Sequence, residues 1–514
     1  MSTVAVISSR IKEYVSDARV QQWLLAAGMF VFLAAVGELV LDSPRYFIAT
    51  LFVIAAGVLL ATNLRLALFL FIIFLGAYEE FVISSRDAFF SQGIQGSIIA
   101  VRIFGVGLLD FCTIIFAVPA LILAWYKNRT EDIPFVRRHD ILVLPLVGIW
   151  LYGMVMGAFH MHTVSAYAAD IRVLGYLLAF YFVVSRILDK PEDYYIAVWL
   201  FAGTIFFKTF FFIGRQLMGL GFESGYGYYR LFLGSDPALV GFLLVLSVSM
   251  VFLFRDIKRP LRILLYFLVA YAAVFLIAGL GRNTYLFSAV SLGVIFFLFR
   301  EQMTLRTFLI AVLLAVGAVL FFYYVLLTEE NQEMISYVLS TAFNWVEAVK
   351  LYSDMSIGQR ILEAINIWAT LDQQGMQLLG LGWGAAWREV AIHHPMDIGA
   401  FSLVEQMKGV HTSAHLDPIH YLLKIGVLGV IVIYAAMFNI WRKAVVLFRA
   451  SSDEKLRFAL LGCIFMGTMF LLNNVYFSRL QFLLGLAFAG IAVIYQHATT
   501  QASHTGIAHS DDAQ

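Results

Sequence analysis

The sequence predicts an all-α protein, a polytopic bundle of membrane-spanning helices. Three observations lead there. Of 514 residues, 61% are hydrophobic and only 13% are charged. The apolar residues gather into long runs, and the basic residues crowd into alternate connections between them. Soluble domains rarely reach this apolar content, and about 20 apolar residues cross a hydrocarbon core of about 30 Å. About fourteen runs of that kind are present, near 23–41, 46–62, 64–83, 104–126, 141–159, 172–188, 194–213, 237–254, 263–279, 283–299, 307–327, 419–441, 457–475 and 479–495. In lipid every backbone donor and acceptor must pair inside the protein, so the runs are read as helices.

Segment 1–22 is polar, and the run after it is long enough to remain as a span, so no cleavable leader is expected. With this end in the cytoplasm, the inner connections hold 21 of the 35 basic residues, among them Arg65, Lys127, Arg137, Arg138, Arg186, Arg442 and Lys443. That asymmetry obeys the positive-inside rule and orients the bundle. An even number of spans returns the C-terminus to the cytoplasm. There 496–514, with His497, His504, His509, Asp511 and Asp512, is expected to be a disordered tail. Residues 23–495 form a single membrane domain without internal repeats. Most connections are short, but 328–418, between spans 11 and 12, is a large extracytoplasmic loop with helical periodicity at Arg360–Leu371. Loops of that length usually carry function.

The net charge of +1 argues against a nucleic-acid partner. Cys112 and Cys463 lie in separate spans and offer neither a disulfide nor a zinc framework. No metal or cofactor is expected. His160 and His162 lack a third ligand of suitable spacing, so a metal centre there is disfavoured. Glu38, Asp110 and Lys208 are ionisable groups inside spans, read as structurally paired or close to span ends.

The outer face and the adjoining span ends collect His160, His162, Arg172, Arg215, Arg230, Arg282, Arg360, His411 and His415. Arginine grips phosphate oxygens with a permanently charged fork, so this set suits a phosphate-bearing lipid, although outer arginines also snorkel to ordinary headgroups. Arg282 opens a span with no nearby carboxylate in sequence, and an ionisable group placed there is costly unless it has a task. A neutral imidazole such as that of His415 is a natural general base for a sugar hydroxyl, and His411 and His420 flank it. Gly380–Gly384, GLGWG, lacks the lysine of a phosphate loop; it reads as a tight turn with Trp383 and Trp387 at the membrane interface.

Four groups of segments carry a resemblance. They are YYRLFLGSDPALVGFLL (228–244); AGLGRNTYLF (278–287); SIGQRILEAINIW with LLGLGWGAAW (356–368 and 378–387); and HLDPIHYLLKIGVLG (415–429). Across roughly residues 170–440 the chain resembles the O-antigen ligase and O-antigen polymerase superfamily of bacterial membrane enzymes. The shared pattern is an arginine opening a span, an arginine in the large outer loop, a Gly-x-Gly turn, and a histidine eleven residues before a Gly-x-x-Gly. Arg282, Arg360, Gly380–Gly384 and His415 with Gly426 and Gly429 occupy those places. The chain departs from the pattern at Leu416 and Lys424, where the family often has asparagine and an acidic residue.

The resemblance implies a fold like that of the GT-C membrane glycosyltransferases. It also implies metal-independent, inverting transfer from an undecaprenyl-diphosphate-linked glycan at the outer face of the bacterial inner membrane. Arg282 and Arg360 would hold the diphosphate, with Arg172, Arg215, Arg230 and His411 as further substrate-binding groups, and His415 would be the base. The acceptor would be a second lipid-linked repeat unit, giving a polymerase of O-antigen or exopolysaccharide, or a lipid A core, giving a ligase. The altered histidine segment tilts the expectation toward the polymerase, which could work with a chain-length regulator. A glycolipid flippase is the alternative of a different class, since it too needs a basic cavity; transporters often carry internal repeats, and none is found here.

Overall fold

The computed structural model describes residues 63–77, 102–103, 106–131, 133–217, 222–223, 229–230, 236–254, 258–278, 282–300, 355–393, 408–414, 417–470 and 478–504, with short stretches between 312 and 320. Twelve α-helices follow one another in them. They are α1 (Leu64–Ala77), α2 (Leu108–Thr130), α3 (Leu144–His160), α4 (Val164–Ile187), α5 (Pro191–Leu217), α6 (Asp236–Leu253), α7 (Arg259–Ala278), α8 (Arg282–Phe299), α9 (Met355–Gln373), α10 (Asp417–Ala450), α11 (Glu454–Phe470) and α12 (Ser478–His504). Six of them are long and apolar enough to cross a membrane, and α1, α3 and most of α8 are shorter apolar helices. The strands among the described residues make three two-residue antiparallel ribbons: β1 (Arg102–Ile103) with β2 (Val106–Gly107), β3 (Phe222–Glu223) with β4 (Tyr229–Arg230), and β5 (Trp387–Arg388) with β6 (Val410–His411). The protein is a helical membrane bundle. Runs 23–41 and 46–62, nearly all of 307–327, and much of the large loop lie outside the described residues.

Several boundaries differ from expectation; α10, expected over 419–441, continues to Ala450. Helix α4 begins at Val164, eight residues before the apolar run, because Thr163 caps it by accepting the Ala166 amide at 3.1 Å. Asp170 therefore lies within a span. Helix α12 runs to His504, past the end of the apolar run, where Lys443 lies over the Tyr495 ring and Gln496 meets His139.

The core is densest where α4 crosses α12. Gly485 permits the approach, since a Cβ there would stand 2.6 Å from the Leu177 carbonyl oxygen. Phe482 of α12 stacks on Tyr176 at 4.7 Å and meets Phe71 and Phe180 edge-on. Elsewhere ionisable groups of the helices pair. Asp110 takes Arg172 at 3.1 Å and the Tyr176 hydroxyl at 2.7 Å. Lys208 and Arg479 both meet Asp236 Oδ1 at 2.6 Å. The structural reading of Asp110 and Lys208 thus holds; Glu38 lies outside the described residues.

Groups expected in the inner connections meet one another at one end of the bundle. Arg65 pairs with Asp193 at 3.2 Å and Lys127 with Asp189 at 2.7 Å. Arg186 pairs with Asp140, which also accepts the Tyr181 hydroxyl at 3.0 Å. His139 stands 3.5 Å from Asp140 and bonds Gln496. Burial pushes the His139 imidazole down from 6.5 to about 4, only partly offset by the Asp140 charge. Burial would raise Asp140, but Arg186 outweighs it and holds the carboxyl below its usual range.

Between pH 6.5 and about 4 the unfolded chain therefore binds a proton at His139 that the folded chain refuses, so stability falls as pH falls. The expected contribution is up to about 3 kcal/mol. In detergent, the melting temperature should drop across this window, and His139→Gln should flatten the slope. An unchanged slope would assign the titration elsewhere.

Candidate functional site: a strapped helix break beneath an outer cavity

Helix α10 is broken at Gly426, which has φ 65° and ψ −175°. An intact helix would pair the Val427 and Leu428 amides with the Leu423 and Lys424 carbonyls. Instead Val427 donates to Gln377 at 2.9 Å and Leu428 to Leu378 at 3.1 Å. The two freed carbonyls accept Leu381 at 2.9 Å and Gly382 at 2.6 Å. Two helical bonds are exchanged for four to the strap 377–384, leaving these groups paired as lipid requires.

The strap continues between α10 and α3. Trp383 donates its backbone amide to Gly153 and its indole N–H to Trp150, each at 2.9 Å. Glycine is needed on both sides. A Cβ at Gly382, where φ is +84°, would lie 1.9 Å from the Gly157 nitrogen; one at Gly380 would lie 2.3 Å from the Gly426 nitrogen. GLGWG thus holds the expected turn, with the Ala385 amide donating to the Gly382 carbonyl at 3.4 Å, and the backbone around that turn packs directly between α10 and α3. Trp383 and Trp387 are fully buried rather than interfacial, because their indoles find the Trp150 and Ser413 carbonyls.

The strap ends on a charge. The Gly384 amide donates to Asp170 Oδ2 at 2.6 Å. Lys424 reaches the same oxygen at 2.7 Å, and its ammonium also donates to the Ala385 and Thr412 carbonyls at 2.6 and 2.8 Å. His420 Nε2 stands 3.3 Å from Asp170 Oδ1. Glu363 of α9, fully buried, lies within electrostatic reach of His420. The cluster joins α4, the strap, α10 and the segment after β6. Lys424, where the resembled family often has an acid, has no exposed surface, so its charge serves the interior and not an acceptor.

Above the cluster opens a cavity of about 390 Å³, lined by His162, Thr163, Ser165, Ala166, Ala169, Lys408, Val410 and Thr412. Its floor is the first turns of α4, its wall is β6, and the His162 amide is fixed by the Gly384 carbonyl at 2.8 Å. The cavity is open and mostly apolar, with the Thr163 and Ser165 hydroxyls, the His162 imidazole and the Lys408 ammonium among its lining groups. Those few polar groups are the ones that can fix a hydroxylated or anionic ligand there.

The expected site residues are distributed unevenly. His162 lines the cavity, while His160 turns back to the Met156 carbonyl at 3.0 Å. His411 is fully buried, its Nε2 2.7 Å from Glu389 Oε1 and its ring 4.3 Å from that of Trp387. It faces the interior and does not line the cavity. Arg172 faces Asp110, away from Asp170. Arg360 is half-buried on α9, and Glu363 follows it by less than one turn. Arg282 opens α8, Arg215 ends α5 and Arg230 lies on β4, but the side chains of these three lie outside the described residues. His415 lies outside them too, between Ala414, which is buried, and Asp417, which opens α10. Asp170, Lys408, Thr163, Ser165 and Glu363 were missed by sequence reasoning. Of these Asp170 carried a usable signal, a lone carboxylate in AYAADIRVLGYLLAF. No family model matches the chain, and no curated protein is recognisably similar to it.

Two predictions follow from the strap. Gly382→Ala combines a positive φ with a backbone collision and should strongly reduce the yield of monodisperse protein on size exclusion. Gly148→Ala, with open space around its Cβ position, should not. Lys424→Met strands Asp170 and should cost about 3–5 kcal/mol. Adding Asp170→Asn should recover part of that loss in thermal melts; a strictly additive double variant would refute the coupling.

Proposed function

We propose that the protein is a bacterial inner-membrane glycosyltransferase that lengthens or transfers a glycan carried on undecaprenyl diphosphate, working at the extracytoplasmic face. The observation that carries this reading is the cavity: its hydroxyl, imidazole and ammonium groups sit at the helix ends expected outside, above an apolar bundle. A lipid-linked sugar needs both, polar contacts for the glycan and a bundle that borders acyl chains. This reading puts both termini in the cytoplasm. The gathering of Arg65, Lys127 and Arg186 at the opposite end supports that orientation.

In this mechanism His415 accepts the proton of an acceptor hydroxyl as its oxygen attacks the anomeric carbon of the donor. The bond from that carbon to the diphosphate oxygen breaks, the configuration inverts, and undecaprenyl diphosphate leaves. Arg282 and Arg360 hold the diphosphate and take up the charge that grows on it. A base so placed contributes typically about 10²–10⁴-fold. His162 and Lys408 would contact the glycan or its phosphate from the cavity wall, and Arg172, Arg215 and Arg230 remain proposed substrate-binding groups, whereas His411, buried between Glu389 and Trp387, supports the wall and does not reach the substrate. The acceptor is a second lipid-linked repeat unit, with the lipid A core as the alternative. Since Lys424 points into the interior, its departure from the family pattern carries no weight between these two.

Purified protein in liposomes with a lipid-linked oligosaccharide should form new glycosidic bonds. His415→Ala should reduce the rate by at least about 100-fold while donor binding persists. Arg282→Lys and Arg360→Lys should each impair transfer without preventing insertion, because lysine keeps the charge and loses the fork. Movement of the glycolipid across the bilayer without bond formation would identify a flippase instead. A fully active His415→Ala protein would remove the proposed base.

A further inference from the structure

Helix α9 carries apolar residues on both its buried and its exposed side, which is unusual for a helix in a water-exposed loop. Its buried side carries Glu363, Asn366 and Thr370 beside Leu362, Ile367 and Leu371. Ile361, Ile365 and Trp368 are exposed, at spacings of four and three that align them along one stripe. The polar groups inside are engaged: Asn366 accepts the Ala391 and Ile392 amides and donates to the Ile392 carbonyl. The apolar stripe outside is thus a consequence of how the helix docks, and a stripe of this kind in water would be a liability.

The turn that follows α9 continues the pattern. Leu378 and Leu379 are 59% and 46% exposed, yet their backbone is held against the bundle. The Leu378 carbonyl accepts Leu428 of α10 at 3.1 Å, and the Leu379 carbonyl accepts the Tyr152 hydroxyl at 2.9 Å. Leu378 therefore stands beside Leu428, which is 51% exposed on α10 and is followed one turn on by Ile431, 58% exposed. A depth reckoning agrees. Arg442 and Lys443 close the apolar stretch of α10 on the side expected inside, and a span of about 20 residues counted back from them places the outer hydrocarbon boundary near roughly residue 422. Leu428 and its partner Leu378 fall on the lipid side of that boundary.

We propose that α9 and the turn 374–379 are an element of the outer leaflet, with Leu378, Leu379 and the Ile361–Ile365–Trp368 stripe against the acyl chains of bilayer lipids. Trp368, whose indole is both apolar and a donor, sits at the headgroup boundary. The continuity of this face with the exposed face of α10 selects bilayer lipid as its occupant over water or a second protein. The large outer loop then does not stand off in the aqueous space; part of it is held at membrane depth by the strap. This inference rests on the helix packing and holds whatever reaction the protein performs.

The experiment is site-directed spin labelling of Ile365→Cys and Leu379→Cys in the full chain. The native Cys112 and Cys463 are buried, and the unsubstituted parent measures any label they take. The labelled protein is placed in liposomes of phosphatidylcholine and phosphatidylglycerol containing no polyprenyl lipid. Oxygen should relax both labels more strongly than a water-soluble nickel chelate. Nickel dominance at either position overturns the proposal, as does protection from both agents, which would mean that protein covers the face. Independently, Trp368→Phe should lower the fraction of tryptophan fluorescence quenched by phosphatidylcholine brominated along its chains. Unchanged quenching overturns the proposal for α9, and this readout survives if either cysteine variant folds poorly.

Discussion

Four backbone hydrogen bonds across the break at Gly426 hold the rest of the site in place. A transmembrane helix that opens one step exposes two amides and two carbonyls, and hydrocarbon offers them no partner. Here the partners come from the strap 377–384, over forty residues earlier in the chain. The exchange has two consequences. It makes the break permanent, since closing the helix would strand the strap. It also brings residue 384 to the first turns of α4, where the Gly384 amide and carbonyl fix Asp170 and His162. The glycines are dictated by this crossing, because two backbones in direct contact leave no room for a Cβ at positions 380, 382 and 426.

On that frame sits a buried charge pair whose worth is geometric. Asp170 and Lys424 are both out of reach of water, and desolvation takes back much of what their attraction gives. What the pair supplies is register. The Lys424 ammonium uses its donors on Asp170, Ala385 and Thr412, so one side chain ties α4, the end of the strap and the segment after β6 to α10. Those elements make the floor and wall of the cavity. Its polar lining is therefore positioned by a network that does not itself face the ligand. His411 belongs to the same supporting layer, held between Glu389 and Trp387 beneath β5 and β6.

Charged pairs tie the helices together at both ends of the bundle. At the end expected inside, Arg65–Asp193 and Lys127–Asp189 each keep a partly exposed partner, while Arg186–Asp140 is buried. They lock connections together. At the other end Lys208–Asp236–Arg479 and Lys424–Asp170 are buried, while Arg172–Asp110 leaves its arginine half-exposed. Each joins helices that are distant in sequence, so the pairs fix which helix ends meet.

Hydropathy alone located the helices, because a lipid-embedded segment must be apolar and long whatever it packs against. The runs near 64–83, 104–126 and 479–495 each contain a helix for that reason, and the periodicity at Arg360–Leu371 fell inside α9. Helix ends were less legible. Val164 starts α4 through a Thr163 cap and a polar first turn that a hydropathy window discards. The site was only half legible. The segments around His162, Gly380–Gly384 and Lys424 stood out by residue type, but their roles did not. The turn in the glycine segment was legible but its partner, the backbone of a distant helix, was not, and Lys424 stood out only as a departure from the resembled pattern because its counterion lies 254 positions earlier. Composition determined that this is a membrane bundle and how it is oriented in expectation. Tertiary structure decided which charges neutralise one another, which glycines carry a crossing and where the cavity opens, since each depends on long-range pairing that no local pattern encodes.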